Sequence, residues 1–390
     1  MAYIHRALEA QLKTKTKGFP ALMLTGPRRS GKTTLLRTCF PEAGYHLLED
    51  LDVVARIKDD PRSFVENLRP PVILDEIQNV PELLNYIRTR VDLSDRKGTR
   101  WFLTGSQEPA LMKGVGESMA GRAAMFTLLP LAREESPQVS VFRGGFPEIV
   151  TKRAEADTWF RSYIQTYLER DVRSISSLRD LTTFRKFLAL VASRIGQMLN
   201  KSEIAGPLGV SVPTVGQWLN ILEATHQVIL VPPFYENFGK RLVKSPKIYL
   251  ADSGLAAYLL GIDSEKAMAR SPFLGALFEG FVAGEIVKAQ LNRGKRKELY
   301  YFRDRPGLEV DFLVPRGDRE MFLIEAKASR TIRPDDTRSM SRLQKAIRLR
   351  RTSACLVRLP SPALKEEERI SRGVRSFSPA AIAAALFPKE

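Results

Sequence analysis

Residues 26–33 read Gly-Pro-Arg-Arg-Ser-Gly-Lys-Thr, a run that matches G-x-x-x-x-G-K-[ST] at every fixed position. Glycines in such a loop let the backbone wrap closely around an anion, with successive N–H groups facing it. Lys32 would then reach the β- and γ-phosphates of a nucleotide, and the Thr33 hydroxyl would ligate Mg²⁺. The motif therefore predicts a site for ATP and Mg²⁺. The residues predicted to contact the nucleotide are Gly26, Pro27, Arg28, Arg29, Ser30, Gly31, Lys32, Thr33 and Thr34.

The residues on either side of this motif predict a strand before it and a helix after it. Residues 21–25 form a short apolar run of the kind found in buried parallel strands, and residues 34–38 open a helix. A glycine loop between a strand and a helix N-terminus is the setting in which phosphate is bound. This context favours a P-loop over an ordinary glycine-rich turn.

Two adjacent acids, Asp75 and Glu76, follow the apolar run at 71–74. At the end of a strand beside a P-loop, Asp75 would hold Mg²⁺ through its water shell. Glu76 would lie beside the γ-phosphate and orient or deprotonate the attacking water. Such a pair is often only a solvated strand end, but a P-loop earlier in the chain favours the catalytic interpretation.

Two further positions could act on the γ-phosphate. Ser106 and Gln107 form the polar tip of a strand predicted over 100–107, and either could sense the phosphate. Arg122 precedes another strand and could act as an arginine finger, within the chain or across an oligomer interface. A surface salt bridge is an equally good interpretation of Arg122.

The apolar runs of this region alternate with helical segments. Strands are predicted at 21–25, 45–48, 71–76, 100–107 and 124–128. Strands that alternate with helices form a parallel sheet covered on both faces. The fold class predicted for the first part is therefore an α/β P-loop domain.

A second group of chemistry-bearing residues lies near the C-terminus. Asp311 is followed 14 residues later by Glu325, with Lys327 two residues further on, and Glu279 lies on a helix predicted over 273–291. Residues two apart in a strand share a face, so Glu325 and Lys327 would point the same way. With Asp311 on a neighbouring strand, the carboxylates could bind Mg²⁺ while Lys327 stabilises phosphate charge. This arrangement resembles the PD-(D/E)XK restriction-endonuclease-like fold; the alternative is a solvated hairpin.

The middle of the chain predicts a helical region. Residues 156–195 have helical periodicity, and a helix capped by Ser202, a turn at 207–209, a helix over 211–224 and a strand at 228–231 follow. This order is that of a helix–turn–helix with a wing. The second helix offers polar residues but no Lys or Arg, which disfavours a transcription regulator and leaves a structural winged helix at least as well supported. These polar residues are Ser211, Thr214, Gln217 and Asn220.

The amino-acid composition and charge limit which kinds of protein and binding partner fit this sequence. The net charge is +17, and residues 240–390 carry 30 Lys and Arg against 18 Asp and Glu, a net +12. Such an excess favours a polyanion such as nucleic acid, DNA more than RNA, although a solvated basic surface is the alternative. No run is long enough for a membrane helix, the N-terminus has no secretory h-region, and two cysteines without metal spacing suggest the cytoplasm.

Taken together, seven motifs resemble a large AAA-type ATPase family of bacteria and archaea. They occur at 26–35, 74–81, 103–107, 120–122, 144–148 (Gly-Gly-Phe-Pro-Glu), 163–171 and 245–255 (Ser-Pro-Lys-x-Tyr-x-x-Asp-x-Gly-Leu). The resemblance implies an ATPase domain at 1–150, a helical and winged-helix-like domain at 151–235, and a restriction-endonuclease-like domain at 236–390.

We therefore expect a Mg²⁺-dependent ATPase whose nucleotide state controls a basic, nuclease-like C-terminal domain acting on nucleic acid. The alternative is a non-nucleolytic switch that docks a protein partner through that domain. The sequence leaves a homo-oligomer open.

Overall fold

The structure, a computed structural model, describes most of the chain. The described residues are 3–93, 98–105, 118–152, 154–168, 181–234, 245–304, 306–317, 320–329, 334–347, 351–359, 367–371 and 373–388. The chain forms two compact units. The first contains residues 1–131, 224–226 and 291–295, and the second contains 132–223, 227–290 and 296–390. The predicted domain boundaries at 150 and 235 stay predictions.

The first unit is built on a five-stranded sheet. Its strands are β1 (Ala21–Thr25), β2 (Gly44–Leu47), β3 (Val72–Asp75), β4 (Trp101–Thr104) and β5 (Ala123–Thr127). The spatial order is β2-β3-β4-β1-β5, and all four pairings are parallel. The predicted parallel sheet is thereby confirmed.

Helices cover both faces of this sheet. They are α1 (Glu9–Lys15), α2 (Lys32–Cys39), α3 (Leu51–Asp59), α4 (Pro61–Asn67) and α5 (Leu83–Leu93). Alternate residues of a strand point to opposite faces. Accordingly Met23 packs in one core cluster with Ile57 of α3 and Leu84 of α5, whereas Leu24 packs in another with Leu35 of α2. The two apolar layers hold the C-terminal ends of the strands beside the start of α2.

The second unit begins with helices and a two-stranded sheet. The helices are α6 (Pro147–Val150), α7 (Ala156–Tyr163), α8 (Leu181–Ser193), α9 (Lys201–Leu208), α10 (Val212–Ala224), α11 (Ser253–Leu259), α12 (Glu265–Arg270) and α13 (Leu274–Leu291). Strand β6 (Val228–Val231) pairs antiparallel with β7 (Lys247–Leu250). The predicted order of two helices and a strand is confirmed, and its winged-helix interpretation stays a prediction.

Two details of this region bear on the sequence predictions. The side chain of Asn200 caps α9 by accepting a hydrogen bond from the Ser202 backbone N–H at 3.1 Å, so the prediction that Ser202 is the cap was wrong. Asn200 takes this role because its extended backbone places the amide oxygen over the first turn. On α10 the apolar face is buried and Gln217 and Asn220 are exposed.

A six-stranded mixed sheet completes the second unit. Its strands are β8 (Tyr300–Arg303), β9 (Glu309–Arg316), β10 (Glu320–Lys327), β11 (Arg351–Arg358), β12 (Glu367–Ser371) and β13 (Val374–Phe377), with α14 (Arg338–Ala346) and α15 (Ile382–Leu386). The spatial order is β12-β13-β11-β10-β9-β8. Strands β9 and β10 are antiparallel neighbours, as Ile324 opposite Phe312 shows, so the strand of Asp311 borders the strand of Glu325. Among the helices that the structure describes, none is long and apolar enough to cross a membrane.

Candidate nucleotide site and carboxylate cluster

The loop between β1 and α2 has the backbone geometry of an anion cradle. Gly26 has φ 140° and Gly31 has φ 94°, both in the region that favours glycine. A Cβ at Gly26 would lie 2.1 Å from the carbonyl oxygen of Leu128, so the neighbouring backbone leaves no room for a side chain. The loop can therefore follow this course only with glycine at residue 26.

Three polar side chains lie at this loop, two from the loop and helix α2 and one from the N-terminal segment. Lys32 is buried, and its Nζ donates hydrogen bonds of 3.1 Å to the carbonyl oxygens of Gly26 and Pro27. Arg6 donates to the carbonyl oxygens of Ser30, at 2.9 Å, and Leu129, at 2.7 Å. The Ser30 hydroxyl is buried without a hydrogen-bond partner among the described residues. Because buried polar groups are normally satisfied, this hydroxyl and the loop fit a phosphate group.

The carboxylate of Asp75, at the end of β3, accepts hydrogen bonds from three hydroxyl groups. Its Oδ2 accepts from Thr33 at 2.7 Å and from Tyr45 at 2.8 Å, and its Oδ1 accepts from Thr104. Burial, together with the hydrogen bond to Asp75 and its charge, raises the pKa of Tyr45. The hydroxyl of Thr33 and the Asp75 carboxylate are the hard oxygen ligands that Mg²⁺ prefers, so these residues fit the ion.

Glu76 lies next to this network in an unusual backbone conformation. Its φ is 62°, and its backbone N–H donates to the Thr104 hydroxyl at 3.0 Å. The Glu76 carboxylate accepts from the side chain of Gln78, while Asn79 donates to the Glu76 carbonyl at 3.1 Å. These contacts fix Glu76 at the same sheet edge as Asp75 and the P-loop. The arrangement can hold a carboxylate near the phosphates.

Arg122 lies at the opposite end of the strands. Its guanidinium pairs with the Asp92 carboxylate through contacts of 2.7 and 2.9 Å. Strand β5 begins beside Ala21, at the start of β1, whereas the P-loop follows the end of β1. The structure thus brings Arg122 to Asp92, in the salt bridge that the sequence left open, and not to the P-loop. A role as an arginine finger stays a prediction, and Ser106 and Gln107 lie outside the described residues.

Sequence reasoning missed three residues of this site: Tyr45, Thr104 and Arg6. Thr104 could have been found, because it is the last residue of an apolar strand whose neighbours end at the same edge. Tyr45 lies on the edge strand β2, and its hydroxyl reaches Asp75 only through the pairing of β2 with β3. No local sequence pattern marks Arg6 as a residue of this site.

The predicted C-terminal carboxylates lie around a buried ammonium group. The side chain of Lys247 is 3% exposed, and its Nζ lies 3.0 Å from Glu279, 2.7 Å from Glu309 and 4.0 Å from Asp311. The hydroxyl of buried Tyr249 also donates to Glu279. Burial alone would lower the pKa of Lys247, but the surrounding carboxylates outweigh it and raise that pKa above its ordinary value. Neither Lys247 nor Glu309 was predicted from the sequence.

Glu325 and Lys327 form a further ion pair beside Asp311. Lys327 Nζ is 3.3 Å from Glu325, and Asp311 accepts a hydrogen bond of 2.9 Å from the Ala326 backbone N–H. Burial and then the Asp311 charge raise the pKa of Glu325 to about 9 and that of Glu279 to about 7.

The predicted metal set of Glu279, Asp311 and Glu325 is not assembled. No group of three His, Cys, Asp or Glu within the described ranges is arranged to hold a metal ion. The physical reason is that Oε1 of Glu279 already accepts hydrogen bonds from the Lys247 ammonium and from the Tyr249 hydroxyl.

Two of the sequence motifs meet elsewhere in the second unit. The Asp252 carboxylate accepts from the Gly145 backbone N–H at 2.7 Å and caps α11 through the Leu255 N–H at 3.0 Å. Near it, Lys288 Nζ pairs with buried Glu285 at 3.0 Å, and Glu285 accepts from the Arg133 N–H at 2.7 Å. The motif at 144–148 and the motif at 245–255 therefore form one packed structure.

Comparisons with known proteins divide the chain into three matched regions. Residues 18–136 match an AAA domain. Residues 136–266 and 274–371 match two domains of unknown function, DUF8612 and DUF4143. The predicted AAA domain is thereby confirmed, and the ATPase class of the first unit supports ATP binding.

Among solved structures, the chain is similar to the Walker-type ATPase PABY2304 of Pyrococcus abyssi. The identity is 15%, covering 65% of this chain and 94% of that one, with a TM-score of 0.41. The RuvB Holliday junction branch migration motor of Thermotoga maritima is 16% identical over 58% of this chain and 86% of its own, with a TM-score of 0.28.

Among curated proteins the similarity is much greater. The uncharacterized proteins Rv2008c of Mycobacterium tuberculosis and Mb2031c of Mycobacterium bovis are each 33% identical over 344 residues, 86% of this chain and 76% of theirs. The uncharacterized protein MJ1544 of Methanocaldococcus jannaschii is 21% identical over 310 residues, 71% of this chain and 66% of its own. The chain therefore belongs to the family of Rv2008c and Mb2031c, and its first unit carries an AAA-type P-loop ATPase domain.

Proposed function

We propose that the first unit binds ATP with Mg²⁺ and hydrolyses it. Lys32 and the N–H groups of residues 28–34 would hold the phosphates. Thr33 and Asp75 would hold the ion, with waters completing its shell, and the ion would neutralise phosphate charge. Glu76 would accept a proton from the attacking water, at the modest rate expected of a switch.

The observation that carries this proposal is the hydrogen bond between Thr33 and Asp75. It joins the first residues of α2 to the end of β3, although 42 residues separate the two side chains. Thr104 and Tyr45 orient the same carboxylate from β4 and β2. A buried carboxylate with three hydroxyl donors keeps a fixed orientation, which an ion site beside phosphates requires.

The test is ATP turnover by the full chain and by Glu76→Gln and Lys32→Ala. We expect Glu76→Gln to bind ATP with unchanged affinity and to lose about 10²–10⁴-fold in turnover, the usual contribution of a general base. Lys32→Ala should weaken ATP binding itself, because the ammonium contacts the phosphates in both the ground and transition states.

Glu82→Gln is the matched control, because Glu82 is an exposed acid that precedes α5. It should leave turnover and binding unchanged. Wild-type turnover in Glu76→Gln would remove Glu76 from the mechanism, and wild-type ATP affinity in Lys32→Ala would remove the P-loop assignment.

We further propose that the nucleotide state controls how the C-terminal part engages nucleic acid, DNA more than RNA. What supports this is the charge of +12 over residues 240–390. The alternative is a switch that docks a protein partner. The salt dependence of binding distinguishes nucleic acid from a protein partner, because phosphate contacts weaken steeply with ionic strength and apolar docking does not.

The corresponding experiment measures binding to double-stranded DNA at 50 and 200 mM salt, with ATP and with ADP. We expect affinity to fall about 10²-fold or more between these salt concentrations, and to differ between the two nucleotides. Absence of DNA binding at low salt would favour the protein partner.

A further inference from the structure

The acidic cluster of the second unit already contains a cation, supplied by the chain. Lys247 reaches Glu279 and Glu309 at 3.0 and 2.7 Å, and Asp311 is 4.0 Å away. Lys247 lies in β7 opposite Val231, so strand pairing fixes the position of its backbone. An ammonium held this way by several carboxylates offsets much of the cost of its burial.

Two carboxylate oxygens of this cluster already accept hydrogen bonds from protein donors. Glu279 Oε1 accepts from both Lys247 and Tyr249, and Asp311 Oδ2 accepts from the Ala326 N–H. A Mg²⁺ ion needs oxygen ligands at about 2.0–2.1 Å in octahedral geometry. To enter here it would have to displace these donors and lie beside a positive charge in a poorly solvated site, which is unfavourable.

We propose that Lys247 is the resident cation of this cluster and that the cluster takes no divalent metal ion. Where the second unit binds nucleic acid, a part of the inference that rests on the proposed function, it therefore binds without cutting. The carboxylates predicted as metal ligands serve instead as an ion network. This network ties β7 to α13 and to the β9 strand through Glu279, Glu309 and Asp311. The inference is independent of ATP hydrolysis by the first unit.

The first test is Mn²⁺ binding to the nucleotide-free full chain, followed by the electron paramagnetic resonance signal of free Mn²⁺. We compare the wild type with Asp311→Asn, a substitution that keeps the size of the side chain and its acceptor for the Ala326 N–H. We expect both proteins to bind the same amount of Mn²⁺ and neither to shorten single- or double-stranded DNA in its presence. Mn²⁺ bound by the wild type and lost in Asp311→Asn, or Mn²⁺-dependent cutting lost in that variant, would overturn the proposal.

The second test removes the ammonium. Lys247→Met keeps a side chain of similar length but leaves the carboxylates without their cation, so its melting temperature should fall. Because carboxylates then face one another, Mn²⁺ should raise the melting temperature of this variant and not that of the wild type. Equal responses in the two proteins would contradict the inference.

Lys297→Met is the matched control. Lys297 is a partly buried ammonium, and the carboxylate that faces it is that of Glu223, 3.8 Å away. This variant should also melt at a lower temperature, yet without any recovery on adding Mn²⁺. Should Lys247→Met not fold, the Asp311→Asn comparison decides the question by itself.

Discussion

At the scale of single residues, Asp311 and Glu325 show how a carboxylate pair makes stability depend on pH. Burial and then Asp311 raise the pKa of Glu325 from the ordinary 4.5 to about 9, with Lys327 opposing the shift. A group whose pKa is raised in the folded state binds protons more tightly there than in the unfolded chain. Its stabilising contribution is therefore complete below pH 4.5 and is lost as the pH rises to about 9.

We expect Glu325→Gln to remove this dependence. A glutamine side chain is neutral at every pH and still offers an N–H donor to Asp311, as a protonated Glu325 would. The urea midpoint of the variant should therefore rise relative to that of the wild type between pH 5 and pH 9. Glu367→Gln, which alters an exposed residue of β12, is the control and should follow the wild type. A difference between Glu325→Gln and wild type that stays constant over this range would show that Glu325 is ionised throughout.

At the scale of elements, the start of α11 depends on a close approach between two segments. A Cβ at Gly144 would lie 2.1 Å from Oδ1 of Asp252, the residue that caps this helix. Gly144 also has φ +68°, which side chains other than glycine rarely adopt. The motif at 144–148 thus needs glycine for two separate reasons, one steric and one conformational.

These reasons can be separated by two substitutions in the second unit. Gly144→Ala should lose about 1–2 kcal/mol from the left-handed backbone and about 1–3 kcal/mol more from displacing Asp252. Gly261→Ala is the matched control, because Gly261 has φ +70° and nothing within 4 Å of a new Cβ. Urea unfolding should show the larger loss only for Gly144→Ala. Equal losses would mean that the Asp252 contact adds no stability.

At the scale of the whole molecule, the features that the sequence predicts are those encoded in neighbouring residues. The P-loop is a contiguous motif, and Asp75 follows an apolar run, so both follow from local pattern and the rule that parallel strands end at one edge. The same rule explains the position of Arg122. Arg122 precedes its strand rather than following it, and this places it at the opposite edge.

The remaining site residues depend on contacts between distant segments. Lys247 lies 32 residues before Glu279 and meets it only because β7 and α13 pack together. A lysine in a strand of four buried residues gives no sign of its partners, since the sequence shows only that its charge must be compensated. The role of Tyr45 could not be predicted for a similar reason, because two helices separate β2 from β3 in the sequence.

Arg6 has a practical consequence for anyone who prepares the ATPase domain as a fragment. The AAA family match begins at residue 18, so a fragment cut at that boundary would discard α1 and the guanidinium that bridges Ser30 and Leu129. Two carbonyl oxygens, one in the P-loop and one beyond β5, would lose their donor. A fragment that begins at the family boundary would therefore represent the intact protein poorly in nucleotide-binding studies. A fragment for such studies should begin before Arg6.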